Sequence, residues 1–273
     1  MPSSEDSCLD IIVAPPCDRR GVMREYLSNA SVVLSVPVTA TDEPSLLGMI
    51  RDVVDRREPT VFVGLYASLF RQLRADAEYR ALVDRSVTYP DGYGIVRELR
   101  KRGVERVTRL ATTDLIDPIV NTAGESGWRV VLYGAAPGVA DRAAKTITAM
   151  TPNLSIVGVW DGFSGGPSQE ELVELRPDVV MVGLGAGVQE RWSYEVAIPA
   201  GVPAVLTCGG LFDFLAGDKR RAPTWMQHAG LEWLFRVWLE PRRLAGRYAR
   251  GNLDFVVRAR VERSALARHG VRP

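Results

Sequence analysis

The feature that most constrains this chain is a series of short runs of consecutive branched apolar residues. They fall at 9–14, 32–36, 60–64, 87–89, 129–133, 154–159, 178–182 and 203–207. A strand with one wet face alternates apolar and polar residues, whereas a strand buried on both faces does not. The runs therefore read as inner strands of a parallel sheet. Between them lie amphipathic helical stretches at 44–56, 67–84, 94–102, 113–124, 139–150, 169–175 and 189–198. Strand–helix alternation of this kind predicts an α/β fold, a Rossmann-like doubly wound and mostly parallel sheet. Such sheets bind ligands beyond the carboxyl ends of their strands, so the loops after the runs are where chemistry is expected.

The pattern changes near residue 218. Residues 223–268 read as helices without strand runs, with Trp225, Trp233, Phe235, Trp238, Tyr248 and Phe255 interleaved among arginines. The expected division is an α/β catalytic part at 1–217 and a helical C-terminal appendage at 218–273. Charge follows the same boundary. Residues 219–273 hold 13 Lys/Arg against 4 Asp/Glu, a balance of +9, while the rest of the chain stands at −8. A basic appendage on an acidic body suggests an anionic partner, either a diphosphate, an anionic membrane face or nucleic acid, and a solvated arginine-rich helix would give the same composition.

Several classes are disfavoured. The three cysteines, Cys8, Cys17 and Cys208, form no CxxC pair, so neither a disulfide framework nor a zinc spacing is present and a reducing cytoplasm is expected. The polar, acidic start lacks the layout of a signal peptide, and no apolar run approaches the roughly 18 residues of a membrane span. Membrane contact, if made, is expected to be peripheral. The histidines, His228 and His269, both lie in the appendage, which leaves none for a triad or metal cage in the body. There is no P-loop, GxSxG, HExxH or Asp-x-Asp, so a metal site is not expected and a leaving diphosphate would need arginines to offset its charge.

Four segments carry candidate chemistry. In Pro90-Asp91-Gly92-Tyr93-Gly94, Asp91 stands at a strand's carboxyl end, where a carboxylate can take a proton from a hydroxyl. A helix-capping aspartate would give the same pattern. In 177–190, a buried strand runs into Gly183-Leu184-Gly185-Ala186-Gly187, a turn whose backbone N–H groups can approach phosphate oxygens. Val188 occupies the third small position of a dinucleotide fingerprint, which weakens a redox or methyl-transfer reading. Gln189 and Glu190 follow, either to hydrogen-bond a sugar or base or simply as a polar first turn. Gly134 and Ala135, with Asp161 later, suit close approach of a nucleotide or an ordinary strand–helix connection. Gly209 opens a further turn, and Lys219, Arg220 and Arg221 are phosphate contacts or a solvated run.

Together these segments resemble the WecG/TagA/CpsF family of inverting glycosyltransferases. The carrying residues are PDGYGIV (90–96), Arg109 with Asp114-Leu115, VVLYGAAPG (130–138), IVGVWDGF (156–163), RPDVVMVGLGAGVQERW (176–192), GGLFDFLAGDKRRAPTWM (209–226) and GLEWLFRVWLEPRRLAGRY (230–248). The resemblance implies a UDP-sugar donor and a polyprenyl-diphosphate-linked acceptor at the inner membrane face. Asp91 would be the catalytic base, without metal or cofactor. Gly92, Tyr93, Gly134, Ala135, Asp161, Gly183, Gly185, Gly209 and the Gln189–Glu190 pair would line the substrate. Arg236, Arg243 and Arg247 of the appendage would hold the diphosphate. The resemblance also allows homo-oligomers. It leaves nucleic acid out, because the arginines follow an EP-x-R pattern rather than a binding module. The chain departs from the family where Val63 and Leu65 replace a Thr-x-Asn, Thr112 a glycine, Gly187 a proline, and where Gly246 breaks the basic run. The lost polar contacts leave the donor sugar open, with a soluble natural-product acceptor or a non-catalytic nucleotide-sugar-binding homologue as alternatives.

Overall fold

A computed structural model describes Tyr26 and residues 30–268. The run expected at 9–14, with Cys8, Cys17 and His269, lies outside the described residues. Six strands form one parallel sheet: β3 (Thr60–Leu65), β4 (Val87–Pro90), β5 (Arg129–Gly134), β6 (Ser155–Trp160), β7 (Val179–Gly183) and β8 (Ala204–Thr207), in the order β4-β3-β8-β7-β5-β6. The sheet is Rossmann-like, with helices on both faces. On one side α1 (Glu43–Arg56), α5 (Thr112–Glu125), α6 (Val139–Met150) and α9 (Leu211–Leu215) bury Leu46, Ile50, Leu115, Ile147 and Phe212 against it. On the other lie α2 (Leu69–Ala75), α3 (Ala77–Asp84) and α4 (Tyr93–Lys101), which bury Leu69, Tyr79 and Ile95. Two-sided burial is why the strands showed no alternation.

Three expectations need correction. Residues 32–36 are not one strand but the hairpin of β1 (Ser31–Val33) and β2 (Val36–Val38). Its turn residues Leu34 and Ser35 have φ of 49° and 62°, a conformation normally supplied by Asn-Gly, so the sequence carries no turn signal. The stretch at 67–84 is two helices, because Asp76 leaves helical geometry and its carboxylate caps the Tyr79 amide at 2.8 Å. The stretch at 189–198 begins as α8 (Val188–Trp192) and continues as a π-helical turn, Ser193–Ala197.

After α7 (Gln169–Leu175) and the last strands, the chain forms α10 (Thr224–His228), α11 (Glu232–Leu239) and the 28-residue α12 (Pro241–Arg268). The far half of α12 is fixed to the body. Phe255 is buried against Phe70 at a ring separation of 5.0 Å, and Gly251 lies so close to Ser68 that a Cβ there would collide with it. Arg102 bonds Glu98 and Glu262, and Arg263 bonds Glu98.

Candidate active site

All the parallel strands end on one rim, and the candidate residues lie along it. Asp91 follows β4. Its neighbour across the rim is Gly64 of β3, where a Cβ would come within 3.0 Å of the Asp91 Cβ. Gly64 therefore makes the space that Asp91 occupies, a role no motif advertised. Asp91 is half-buried, and its Oδ1 accepts the Thr112 N–H at 3.3 Å. Arg109 donates from Nε to the Asp91 carbonyl oxygen at 3.2 Å. Burial pushes the Asp91 carboxyl above the usual carboxylate range, opposed by the charges of Arg109 and Arg236 and by the Thr112 amide. A carboxyl so placed has a raised proton affinity, as a general base requires.

The appendage reaches this carboxyl through Glu232, only 7 % exposed, in the first turn of α11. Its Oε2 accepts from Arg109 at 2.6 Å, and its Oε1 lies 3.7 Å from Arg236 and 3.9 Å from Arg221. Arg221 also pairs with Asp114 at 2.6 Å. Arg236 stacks over Phe214 of α9 at 5.0 Å. Three guanidinium groups, from the body and the appendage, thus converge on Glu232, and two of them, Arg109 and Arg236, act on the Asp91 carboxyl. Buried polar atoms without a hydrogen-bond partner gather here: Glu232 Oε1, Arg221 Nε, Arg236 Nε and Thr113 Oγ1. Glu232 and Arg221 were not singled out as a pair by the sequence. The signal was there in GLEWL and RAP, but 123 residues separate Arg109 from Glu232.

The glycine turns lie further along the rim, after β5, β7 and β8. Gly134 and Gly183 let strand ends close up, since a Cβ on Gly134 would meet the Gly183 backbone and one on Gly183 would lie 2.8 Å from the Gly209 carbonyl. Gly185 differs: its φ is +88° and nothing stands where its Cβ would be, so the backbone is open. Gln189 and Glu190 point inward rather than into open crevice. Glu190 accepts from the Gly187 N–H at 2.6 Å and from Gln189 Nε2 at 2.9 Å, and Gln189 Oε1 accepts the Gly209 N–H at 3.1 Å. The pair ties the β7 turn to the β8 turn. Burial raises the Glu190 carboxyl, although its hydrogen bonds counteract this. The N-cap amide of α8, that of Gly187, is accordingly taken by Glu190.

The structure brings together Asp91, Gly92, Tyr93 and Arg236. Gly134, Ala135, Gly183, Gly185, Gln189, Glu190 and Gly209 form a second group. Asp161 closes its own loop, accepting from the Phe163 and Ser164 amides at 2.8 and 2.9 Å, which hold its carboxyl below the usual range. That loop abuts the β5 turn, where the Gly162 N–H donates to Ala135. The side chains of Arg243 and Arg247 lie outside the described residues. Val63 and Leu65 are wholly buried in the core. Among the described residues, no three His, Cys, Asp or Glu side chains come together to hold a metal ion, and no helix is long and apolar enough to cross a membrane.

Two cavities of about 310 Å³ open on the surface. One, among Leu172, Pro177, Ala200 and Val202, lies at the amino ends of β7 and β8, away from every candidate residue. The other borders Tyr93 and Arg109, beyond β4.

The sequence model of the glycosyl transferase WecG/TagA/CpsF family matches residues 31–269, which takes in the sheet, the rim and the appendage. The chain belongs to this family. A Bacillus subtilis (strain 168) relative, N-acetylglucosaminyldiphosphoundecaprenol N-acetyl-beta-D-mannosaminyltransferase, is 33% identical over 158 residues. That match takes in 56% of this chain, which spans 61% of the relative's length. In this WecG/TagA/CpsF member Asp91, Arg109 and Arg236 lie together at one rim.

Proposed function

We propose that this chain is an inverting, metal-independent glycosyltransferase. It moves a hexose, N-acetylhexosamine or uronic acid from a UDP-sugar to an acceptor hydroxyl. By analogy with the Bacillus relative, the acceptor is a sugar joined through a diphosphate to a polyprenyl chain. The observation that carries the reading is the rim itself, where a half-buried carboxyl of raised proton affinity stands beside convergent arginines.

In this reading the Asp91 carboxylate takes the proton of the acceptor hydroxyl, and that oxygen attacks the anomeric carbon. The bond from this carbon to the diphosphate breaks, and its electron pair leaves with UDP. Arg236, with Arg221, offsets the charge that develops on the diphosphate. Open backbone at Gly185 accommodates the nucleotide. Positioning and charge supply most of the rate, and no cofactor takes part.

The appendage also presents apolar surface. Trp238 is 74 % and Trp225 65 % exposed, with Trp233, Leu234 and Leu239 exposed beside the arginines. Aromatic and basic residues together suit the headgroup layer of an anionic membrane, which supports peripheral attachment at the cytoplasmic face.

The test is transfer from UDP-sugars in EDTA, scored by product stereochemistry. A β-linked product from an α-linked donor is expected, with activity that survives chelation. Activity that needs added Mg²⁺ or Mn²⁺ would overturn metal independence, and retention of configuration would overturn direct displacement.

A further inference from the structure

Asp91 divides the rim into two sides. Towards the sheet centre lie the glycine turns after β8, β7 and β5. Outward, past the edge strand β4, lies the second cavity, walled by Tyr93 and Arg100 of α4, by Thr108, Arg109 and Asp114, and by Gln227 of α10. The segment carrying Thr108 and Arg109 is pinned outside the sheet edge, since the Leu110 N–H donates to Pro90 at 2.8 Å and the Thr108 N–H to Thr41 at 2.9 Å. Body and appendage close the cavity jointly: Gly230 of the appendage packs against the Tyr93 ring, where a Cβ would come within 3.1 Å. Tyr93 is nevertheless 40 % exposed, and Arg109 lies 5.2 Å over its ring.

In a direct displacement the nucleophile and the leaving group occupy opposite sides of the reacting carbon, and the base contacts the nucleophile. Arg236 stacks on Phe214, on the β8 side of Glu232, whereas Arg109 reaches from Glu232 to the cavity side. A leaving diphosphate on the Arg236 side places the acceptor on the cavity side. The volume is at the small end of the roughly 300–1,000 Å³ typical of ligand pockets, which suits one sugar ring rather than a nucleotide sugar. The wall offers a carboxylate, an amide and a hydroxyl for sugar hydroxyls. Arg100 is exposed at this wall and gives one Nη to the Val107 carbonyl at 3.1 Å, so its charge is available to phosphate oxygens.

We propose that this cavity is the acceptor subsite, holding the sugar ring of a sugar diphosphate while Arg100 meets the diphosphate. The proposal rests on the glycosyl-transfer reading, and it assigns to binding three residues, Arg100, Thr108 and Gln227, that lie outside the family motifs' proposed roles.

The experiment is calorimetric titration of the full chain with N-acetylglucosamine diphosphate carrying a short prenyl chain, and separately with UDP. It compares the unaltered protein with Arg100→Ala and Gln227→Ala, each checked for an unchanged melting transition. The expected result is analogue affinity weakened about tenfold or more by Arg100→Ala, the loss of a charge-assisted contact, and several-fold by Gln227→Ala, with UDP affinity unchanged. Analogue affinity unchanged by both, no analogue binding to the unaltered chain, or weakened UDP binding would each overturn the assignment. If the unaltered protein binds both ligands at separate sites but transfers no sugar, the transferase reading fails and the subsite stands.

Discussion

At the scale of single residues, Asp91 carries the clearest consequences. Its raised pKa means that the folded state holds its proton more tightly than the unfolded chain does. Between the unfolded value, about 3.9, and the higher folded one, the native state binds more protons, so stability falls as pH rises through that window. Asp91→Asn removes the cost of an ionised, half-buried carboxylate. The expected outcome is a higher melting temperature above that window, a gain that fades as the pH falls through it and is gone below the unfolded value. Turnover falls by about 10²- to 10⁴-fold, with UDP affinity retained. Near-normal turnover in this variant would remove Asp91 from the mechanism. The same shift places the acid limb of kcat/KM above the ordinary carboxylate range. Because Arg109 opposes that shift, Arg109→Gln moves the limb to still higher pH, which a pH–rate profile reads directly. Gly64→Ala tests the space left for Asp91: crowding its Cβ at 3.0 Å costs about 1–3 kcal/mol and misplaces the carboxyl, so activity falls more than melting temperature. Asp91 was legible in the sequence because strand, aspartate and glycine stand together. Gly64 was not, because the collision it avoids comes from a different strand.

At the scale of elements, most strands and helices could be read because burial on both sheet faces imposes unbroken apolar runs and helical amphipathy between them. The exceptions have local causes. Asp76 splits α2 from α3 without disturbing the apolar spacing around it. Leu34 and Ser35 turn the hairpin with no glycine or asparagine to announce it. The appendage could be read as helical and basic, but the Arg109–Glu232 pair that links it to the body could not, since ion pairs between distant segments leave no periodic trace. Anchoring of α12 is testable on its own. Phe255→Ala removes the ring packed on Phe70 and is expected to destabilise the chain by about 3–5 kcal/mol, measured by denaturant unfolding. A loss below 1 kcal/mol would mean that α12 contributes little to the folded body.

At the scale of the whole molecule, an acidic body with a +9 appendage presents opposite charge on its two parts. Attachment to anionic vesicles is expected to be strongest at low salt, because mobile ions screen the arginines. Paired Trp225→Ser and Trp238→Ser changes are expected to cut vesicle binding at least tenfold while leaving UDP affinity intact, read by co-sedimentation and calorimetry. Undiminished binding would place the membrane contact elsewhere. The exposure of these tryptophans was foreshadowed by their interleaving with arginine. Which of them faces outward depends on how α11 sits on the body, and sequence spacing does not fix that.

The clamp between the first hairpin and the last helix bears on how the chain is made. The Leu34 N–H donates to Glu262 at 3.2 Å, across 228 residues of sequence, and Arg102 joins the Val32 carbonyl to the same glutamate. Translation at about 5–20 residues per second puts roughly ten to fifty seconds between the emergence of one partner and the other from the ribosome. Throughout that interval the Leu34-Ser35 turn is held from the body side alone, by Arg80 at the Ser35 carbonyl and by Arg102 at the Val32 carbonyl. The nascent chain therefore completes its sheet with the Leu34 amide still waiting for its carboxylate, and the clamp closes only when Glu262 arrives.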